Sequence, residues 1–226
     1  MRSVFTVPTE TIAWLPKEQD KAAFIPIGAN IPERVNRRVP SGSARQTKTV
    51  IVFGVTEPPK SVREAEEIAG VMKDASKAVP RLRLVVVGRG AVEARGQLEK
   101  LLGRCSVELV VRGVLPAEEI AREFECADAL LFVRGPLALG RGSALAGIAC
   151  GVPIIAYRTG EVTEPLQEAG VAWSVWRDRD ALVREVVRVL SDPSYWAELH
   201  RRNLEVQSNY FSWDRIAGRF LTELGR

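Results

Sequence analysis

Two loops in the sequence carry residues that could bind an anion. The stretch LGRGS, residues 139–143, surrounds an arginine with glycines and ends in a serine that could cap the helix predicted to follow. Glycines let a ligand approach the backbone, and free N–H groups at a helix N-terminus attract phosphate. The stretch GVTEPPK, residues 54–60, places Lys60 at or near the start of another predicted helix. Two such cations could hold a pyrophosphate and stabilise its departure without a divalent metal. The candidates are Lys60, Gly140, Arg141, Gly142 and Ser143.

These signals also have structural explanations. The stretch LGRGS could be a tight glycine turn with no ligand. Its arginine and Lys60 would then be two cations exposed to solvent. The GRG stretch that begins at Gly88 is weak evidence for a phosphate loop, because a lone GxG is common. Two carboxylates, Glu161 and Glu164, follow a later predicted strand and could contact a ligand, but Glu164 precedes a proline and could equally cap local structure.

Several familiar catalytic patterns are absent from the sequence. The chain has one histidine, His200, on a polar predicted helix, where we expect a solvated surface residue and not a catalytic base. There is no HExxH, GxSxG or GxxxxGK[ST] motif. The loop after the first strand of the predicted sheet lacks GxGxxG and a suitably spaced acidic residue, which argues against an NAD-dependent dehydrogenase.

Composition favours a globular chain of one large domain. The 226 residues are 46% apolar and 27% charged, and 32 basic side chains face 28 acidic ones. This small excess suits an anionic ligand, but no basic stripe interleaved with aromatics indicates nucleic-acid binding. The three cysteines show no CxxC spacing, so we expect reduced, buried thiols in a cytoplasmic protein. No apolar run is long enough to span a bilayer, which leaves peripheral membrane association through a partner possible.

From residue 49 onward, short β-branched runs alternate with amphipathic stretches. This alternation predicts an α/β fold with a Rossmann-like, doubly wound parallel sheet of six strands. In such a sheet, ligands bind at the carboxyl ends of the strands, where both candidate loops lie. The predicted strands are TVIVFGV, LRLVVVG, VELVVRG, ADALLFV, PIIAY and VAWSV.

We divide the chain into three segments. Residues 1–45 contain a possible strand and turn, AAFIPIGANIP, and then a linker rich in Pro, Gly, Ser and Arg. Residues 46–210 form the α/β domain, in which a turn and a helix follow PIIAY. Residues 211–226 form a closing helix, whose apolar stripe we expect to pack in the core. The stripe is Phe211, Trp213, Ile216, Phe220 and Leu221.

The order of these pieces resembles the C-terminal, donor-binding domain of GT-B glycosyltransferases of the retaining family 4 type, the glycosyl transferases group 1. The stretch FIPIGANIP is similar to the interdomain segment IPNGV, and IVFGVTEPPK to FVGRLxxxKG. The stretch LVVVGRG resembles the VGxGP turn. The closest match is ADALLFV followed by IACGVPIIAY, which resembles EAMACGVPVVA almost position for position.

The resemblance implies a binding site for a nucleoside diphosphate sugar, with no cofactor and no metal. Lys60 falls on the family's diphosphate-binding lysine, while Val55 replaces the preceding arginine. The segment VVRGVLPAEEI is similar to the backbone stretch that abuts the nucleobase. The resemblance assigns no catalytic residue to this chain. The donor-binding positions implied are Gly54, Lys60, Gly88, Gly113, Val114, Leu115, Gly140, Arg141, Gly142, Ser143 and Glu164.

Two departures bear on activity. The family's paired glutamates fall on Ala138 and Ala146, so the RGS stretch at 141–143 would have to take over donor contacts. The N-terminal acceptor-binding domain has no counterpart here beyond a possible remnant. We therefore expect the donor domain of a hexosyltransferase-type enzyme, whose partner domain is missing or is a separate protein. The alternative is a catalytically inactive GT-B-like subunit or scaffold that binds a partner protein.

Overall fold

The computed structural model describes residues 3–7, 12, 14–15, 22–32, 47–56, 60–162 and 164–225. A six-stranded sheet forms the centre, and all of its neighbouring strands are parallel. Its strands are β3 (Lys48–Phe53), β4 (Leu82–Val87), β5 (Val107–Gly113), β6 (Ala129–Phe132), β7 (Ile154–Arg158) and β8 (Val171–Val175). Its helices are α1 (Lys60–Ala75), α2 (Ala91–Leu102), α3 (Ala117–Cys126), α4 (Gly142–Ala149), α5 (Arg179–Ser191), α6 (Pro193–Val206) and α7 (Trp213–Leu224).

The strand order is β5-β4-β3-β6-β7-β8, which confirms the doubly wound fold. From β3 the chain moves outward to β5, then returns to place β6 against the other side of β3. The order of the strands therefore reverses between β3 and β6. A crevice opens at such a reversal because the connections on its two sides leave in opposite directions.

Both faces of the sheet are covered, which is why its strands are apolar without alternation. Val50 belongs to an apolar cluster that includes residues of α1, α2, α5 and α6 on one face, while its neighbour Ile51 belongs to a cluster that includes residues of α3 and α4 on the other. All four residues of β6 are buried. The helices thus fix the sheet from two sides and hold its carboxyl edge in place.

The closing helix predicted over residues 211–226 corresponds to α7, Trp213–Leu224, which begins two residues later than predicted. A π-helical turn, Gln207–Phe211, follows α6, and α7 then begins with Ser212 as its N-cap. Phe211 and Ile216 are buried as expected, but Trp213 is 55% exposed and Leu221 is 72% exposed. The core prediction is wrong for these last two side chains, because only one edge of the apolar stripe of α7 faces the domain.

The N-terminal segment contacts α7. Strands β1 (Ser3–Phe5) and β2 (Ala22–Phe24) form a separate two-stranded parallel sheet. The indole nitrogen of Trp213 donates to the carbonyl oxygen of Ala29 at 3.0 Å, and Arg219 donates to that of Phe24 at 2.9 Å. The predicted linker and the boundary at residue 45 lie almost wholly in 33–46, outside the described residues.

Three smaller expectations need correction. Between β7 and β8 the described residues form turns and no helix. Of the cysteines, Cys150 is buried, but Cys126 is exposed because it ends α3. His200 is not a solvated residue: its ring stacks on Trp196, and its Nδ1 lies 2.5 Å from the carbonyl oxygen of Gly151. Within the described ranges, no helix has the length and apolarity to cross a bilayer.

Candidate functional site

Three glycine-containing loops meet at the carboxyl edge of the sheet. The Gly54 N–H donates to the carbonyl oxygen of Val87 at 2.7 Å, which links the loops after β3 and β4. The Gly88 N–H donates to the carbonyl oxygen of Gly113 at 2.5 Å, which links the loops after β4 and β5. The loops after β3, β4 and β5 therefore form one continuous, hydrogen-bonded rim. It contains three of the residues predicted to bind the donor: Gly54, Gly88 and Gly113.

Gly90 shows why this rim needs glycine. Its φ is +75°, and a Cβ added there would lie 2.2 Å from the carbonyl oxygen of Val55. No side chain fits at that distance. Val55 itself is 3% exposed and packs in the core, so the loop after β3 presents no cation at that position.

Arg134, which no sequence pattern marked as a candidate, lies at the reversal between β3 and β6. It follows β6 and is partly buried. Its Nη2 donates to Oγ of Ser143 at 2.8 Å. Its Nη1 lies 2.9 Å from the point where a Cβ on Gly54 would stand. The guanidinium therefore joins the loop after β3 to the first turn of α4.

The pKa of Arg134 is lowered from its ordinary value. Burial lowers the pKa of Arg134, the nearby Glu64 carboxylate raises it, and the positive charge of Arg141 lowers it further. Glu64 is itself buried, and its Oε2 accepts the backbone N–H of Thr56 at 2.9 Å. Arg134 and Glu64 line a small cleft between the ends of β3 and β6.

The LGRGS loop leads into α4 as predicted, but Ser143 does not cap the helix. Arg141 is the N-cap, and no side chain caps the first turn. Ser143 lies inside the helix, is 5% exposed and accepts from Arg134. Added Cβ atoms at Gly140 and Gly142 would meet nothing within 4 Å, so packing does not explain these two glycines. An uncapped helix start beside an exposed arginine is a favourable place for an anion.

The remaining candidates lie along the same edge. Lys60 is the first residue of α1 and is exposed, but residues 57–59 of its loop fall outside the described part. Its predicted approach to Arg141 stays a prediction. Past β5, Val114 is 78% exposed while Leu115 is partly buried. Glu164 is exposed in the segment after β7.

The two alanines at the family's glutamate positions differ in exposure. Ala138 is exposed before α4, whereas Ala146 is fully buried on it. In the described ranges, no group of three or more His, Cys, Asp or Glu side chains is placed to hold a metal ion.

Comparison with solved structures shows the same fold in glycosyltransferases. Sucrose-phosphate synthase from Thermosynechococcus elongatus matches with a TM-score of 0.69 and 22% identity, over 98% of this chain and 57% of that one. A chain of the GtfA/B complex matches with a TM-score of 0.69 and 14% identity, over 96% of this chain and 42% of that one. This chain therefore spans about half the length of either protein.

A shorter structure matches more of its own length. The C-terminal domain of LpcC, a glycosyl transferase group 1 family protein from Francisella tularensis, matches with a TM-score of 0.57 and 13% identity. The match covers 79% of this chain and 93% of that one. Among curated proteins, no sequence matches. The family model for glycosyl transferases group 1 matches residues 47–192, which include all six strands of the central sheet. The chain belongs to the glycosyl transferases group 1 family.

Proposed function

We propose that this chain is the C-terminal, donor-binding domain of a retaining GT-B glycosyltransferase of the family 4 type. It binds a nucleoside diphosphate sugar at the carboxyl edge of the sheet. The observation that carries this proposal is the uncapped start of α4, with exposed Arg141 as its N-cap, at the strand reversal of a group 1 glycosyl transferase. That position favours a ligand with negative charge.

In this proposal the diphosphate lies against residues 140–143, with Lys60 approaching from the start of α1. The nucleobase lies along the backbone at 113–115, and Glu164 lies toward the donor sugar. Transfer breaks the bond between the anomeric carbon and the diphosphate oxygen. The oxygen of the acceptor hydroxyl forms the new bond to that carbon, and the hydroxyl proton passes to the departing diphosphate. The cations stabilise the charge that develops on the leaving diphosphate, which is the part of the chemistry that this chain would supply without a metal.

The acceptor is held elsewhere in this proposal. The chain spans 57% of the sucrose-phosphate synthase chain and 42% of the GtfA/B chain. An N-terminal domain or a separate cytoplasmic protein would complete the cleft and could bring the enzyme to a membrane surface. We expect the chain alone to bind donor better than it transfers a hexose.

A second candidate is a catalytically inactive GT-B-like subunit that binds or scaffolds a partner. Ala146 favours it, because the fully buried methyl group leaves that position on α4 without a carboxylate for a ribose. Donor binding without hydrolysis or transfer, even with a partner present, would favour this candidate over an active enzyme.

The test is calorimetric titration with UDP-, GDP- and ADP-glucose. We expect saturable binding of one nucleotide class, weakened about 10- to 100-fold by Lys60→Ala through loss of a charge-assisted contact. Lys77→Ala is the matched control. This exposed lysine lies beyond the end of α1 and pairs with Asp74. Absence of binding to all three donors would contradict the proposal.

A further inference from the structure

We propose that Arg134 binds the distal phosphate of the donor and makes the site selective for nucleoside diphosphates over monophosphates. This inference rests on the proposed function. Arg134 lies in the loop between β6 and α4, at the strand reversal, and contacts Ser143. In this proposal its phosphate contact determines which nucleotides the site accepts.

The described residues compensate the charge of the Arg134 guanidinium only in part. Arg134 is partly buried, yet no carboxylate in the described part of the chain forms a salt bridge with it. Its one hydrogen bond there goes to a neutral hydroxyl. The carboxylate that raises its pKa, Glu64, already accepts the N–H of Thr56. A partly desolvated cation that is only partly compensated gains from a bound anion.

The second argument is geometric. The guanidinium lies directly over the backbone of Gly54, where a Cβ would come within 2.9 Å of Nη1. Gly54 has a φ of +78°, a backbone conformation that favours a residue without a side chain. The arginine thus lies between two loops, and within the described residues only one of its N–H groups has an acceptor.

The third argument concerns the number of phosphates. Arg141, at the start of α4, is close enough to Arg134 to depress its pKa. Two cations that repel each other are best satisfied by an anion that spans both. The Ser143 contact also places Arg134 at the first turn of α4, where Arg141 is the N-cap. A diphosphate has more negative charge and more acceptor oxygens than a monophosphate, so it can satisfy both cations more fully.

The rival explanation is that Arg134 only ties its loop to α4. A structural role would lower stability and weaken every ligand equally. A phosphate contact would weaken diphosphates selectively, and Arg134→Lys would keep part of the affinity because it keeps the charge.

The experiment is calorimetric titration with UDP, GDP and ADP and with UMP, GMP and AMP. The proteins are the unmodified chain, Arg134→Gln, Arg134→Lys and the control Arg83→Gln. Arg83 pairs with Glu108 on an outer strand pair, near the amino ends of β4 and β5. Thermal unfolding of each variant reports its stability.

We expect Arg134→Gln to weaken the preferred diphosphate about 10- to 100-fold and the matching monophosphate less than about threefold. Arg134→Lys should fall between, and Arg83→Gln should leave both unchanged. The inference is overturned if a folded Arg134→Gln protein binds the diphosphate as tightly as the unmodified chain, or loses both ligands equally. The proposed function then stands, whereas failure of the unmodified chain to bind any diphosphate overturns both.

Discussion

Nη2 of Arg134 lies 2.8 Å from Oγ of Ser143, which is 5% exposed in the first turn of α4. This hydrogen bond joins the loop after the central strand β6 to the helix start that we propose as the diphosphate site. It gives a buried hydroxyl its partner and fixes one side of a planar guanidinium.

Removing that hydroxyl should loosen the arginine. We expect Ser143→Ala to lower the free energy of unfolding by about 0.5–1.5 kcal/mol and to weaken nucleoside diphosphate binding severalfold. Urea unfolding and calorimetry measure the two effects. Ser76→Ala is the control, because that exposed hydroxyl donates only to the carbonyl oxygen of Lys73. Equal binding by Ser143→Ala and the unmodified chain would show that the contact does not position Arg134.

Two glycines should respond oppositely to alanine. In Gly90→Ala the new Cβ meets the Val55 carbonyl oxygen at 2.2 Å with φ at +75°, and we expect a loss of about 2–5 kcal/mol in unfolding free energy. Gly96 lies in the middle of α2, and its Cβ would meet nothing within 4 Å. Gly96→Ala should therefore stabilise the protein by about 0.5–1 kcal/mol. Urea unfolding of both variants measures this, and a neutral Gly90→Ala would contradict the close approach of the two loops.

Asn203 should be a strong stabilising residue. It is fully buried on α6, its Oδ1 accepts the N–H of Gly170 at 2.7 Å, and its Nδ2 donates to the carbonyl oxygen of Val152 at 2.8 Å. Asn203→Ala leaves both backbone groups without these partners, so we expect a loss of about 2–4 kcal/mol. Asn209→Ala, at an exposed position in the π-helical turn, is the control for thermal unfolding. Similar melting temperatures for the two variants would refute this role.

Tyr157 should make stability fall at high pH. Burial raises the pKa of Tyr157 above its ordinary value near 10, and its hydrogen bond to the Glu67 carboxylate raises it further. The folded state then holds this proton more tightly than the unfolded state. The contribution is present in full below about pH 10 and is lost as the pH rises through the higher folded-state pKa.

The measurement is the free energy of unfolding from pH 8 to about pH 11. Below about pH 10 the unmodified chain should be more stable than Tyr157→Phe by about 1–3 kcal/mol, and the gap should narrow above it. Tyr210→Phe should show a smaller effect, because Tyr210 makes a long, exposed bond to Glu168. A gap that widens with pH would contradict the assigned sign.

The sheet was predictable from local patterns. Buried apolar runs such as β4 and β6 need cover on both faces, and a doubly wound arrangement with intervening helices provides it. The start of α1 at Lys60 was also predictable from the sequence, because amphipathic spacing begins directly after the prolines.

Arg134 was not predicted because its role depends on a neighbour 80 positions away in sequence, Gly54. The available signal was a charged residue immediately after the carboxyl end of a fully apolar strand. His200 was misjudged because its sequence neighbours are polar, although Trp196, four positions earlier on the same helix face, provides its stacking partner. The exposed Trp213 shows the converse: an amphipathic pattern marks an apolar face but not how much of it the domain covers.

The most direct test of donor binding at the strand reversal is amide hydrogen exchange with and without a saturating nucleoside diphosphate sugar. We expect slower exchange at residues 54–56, 88–90 and 142–145, with no change in α7. Unchanged exchange at these loops, or slowing confined to α7 and β2, would contradict it.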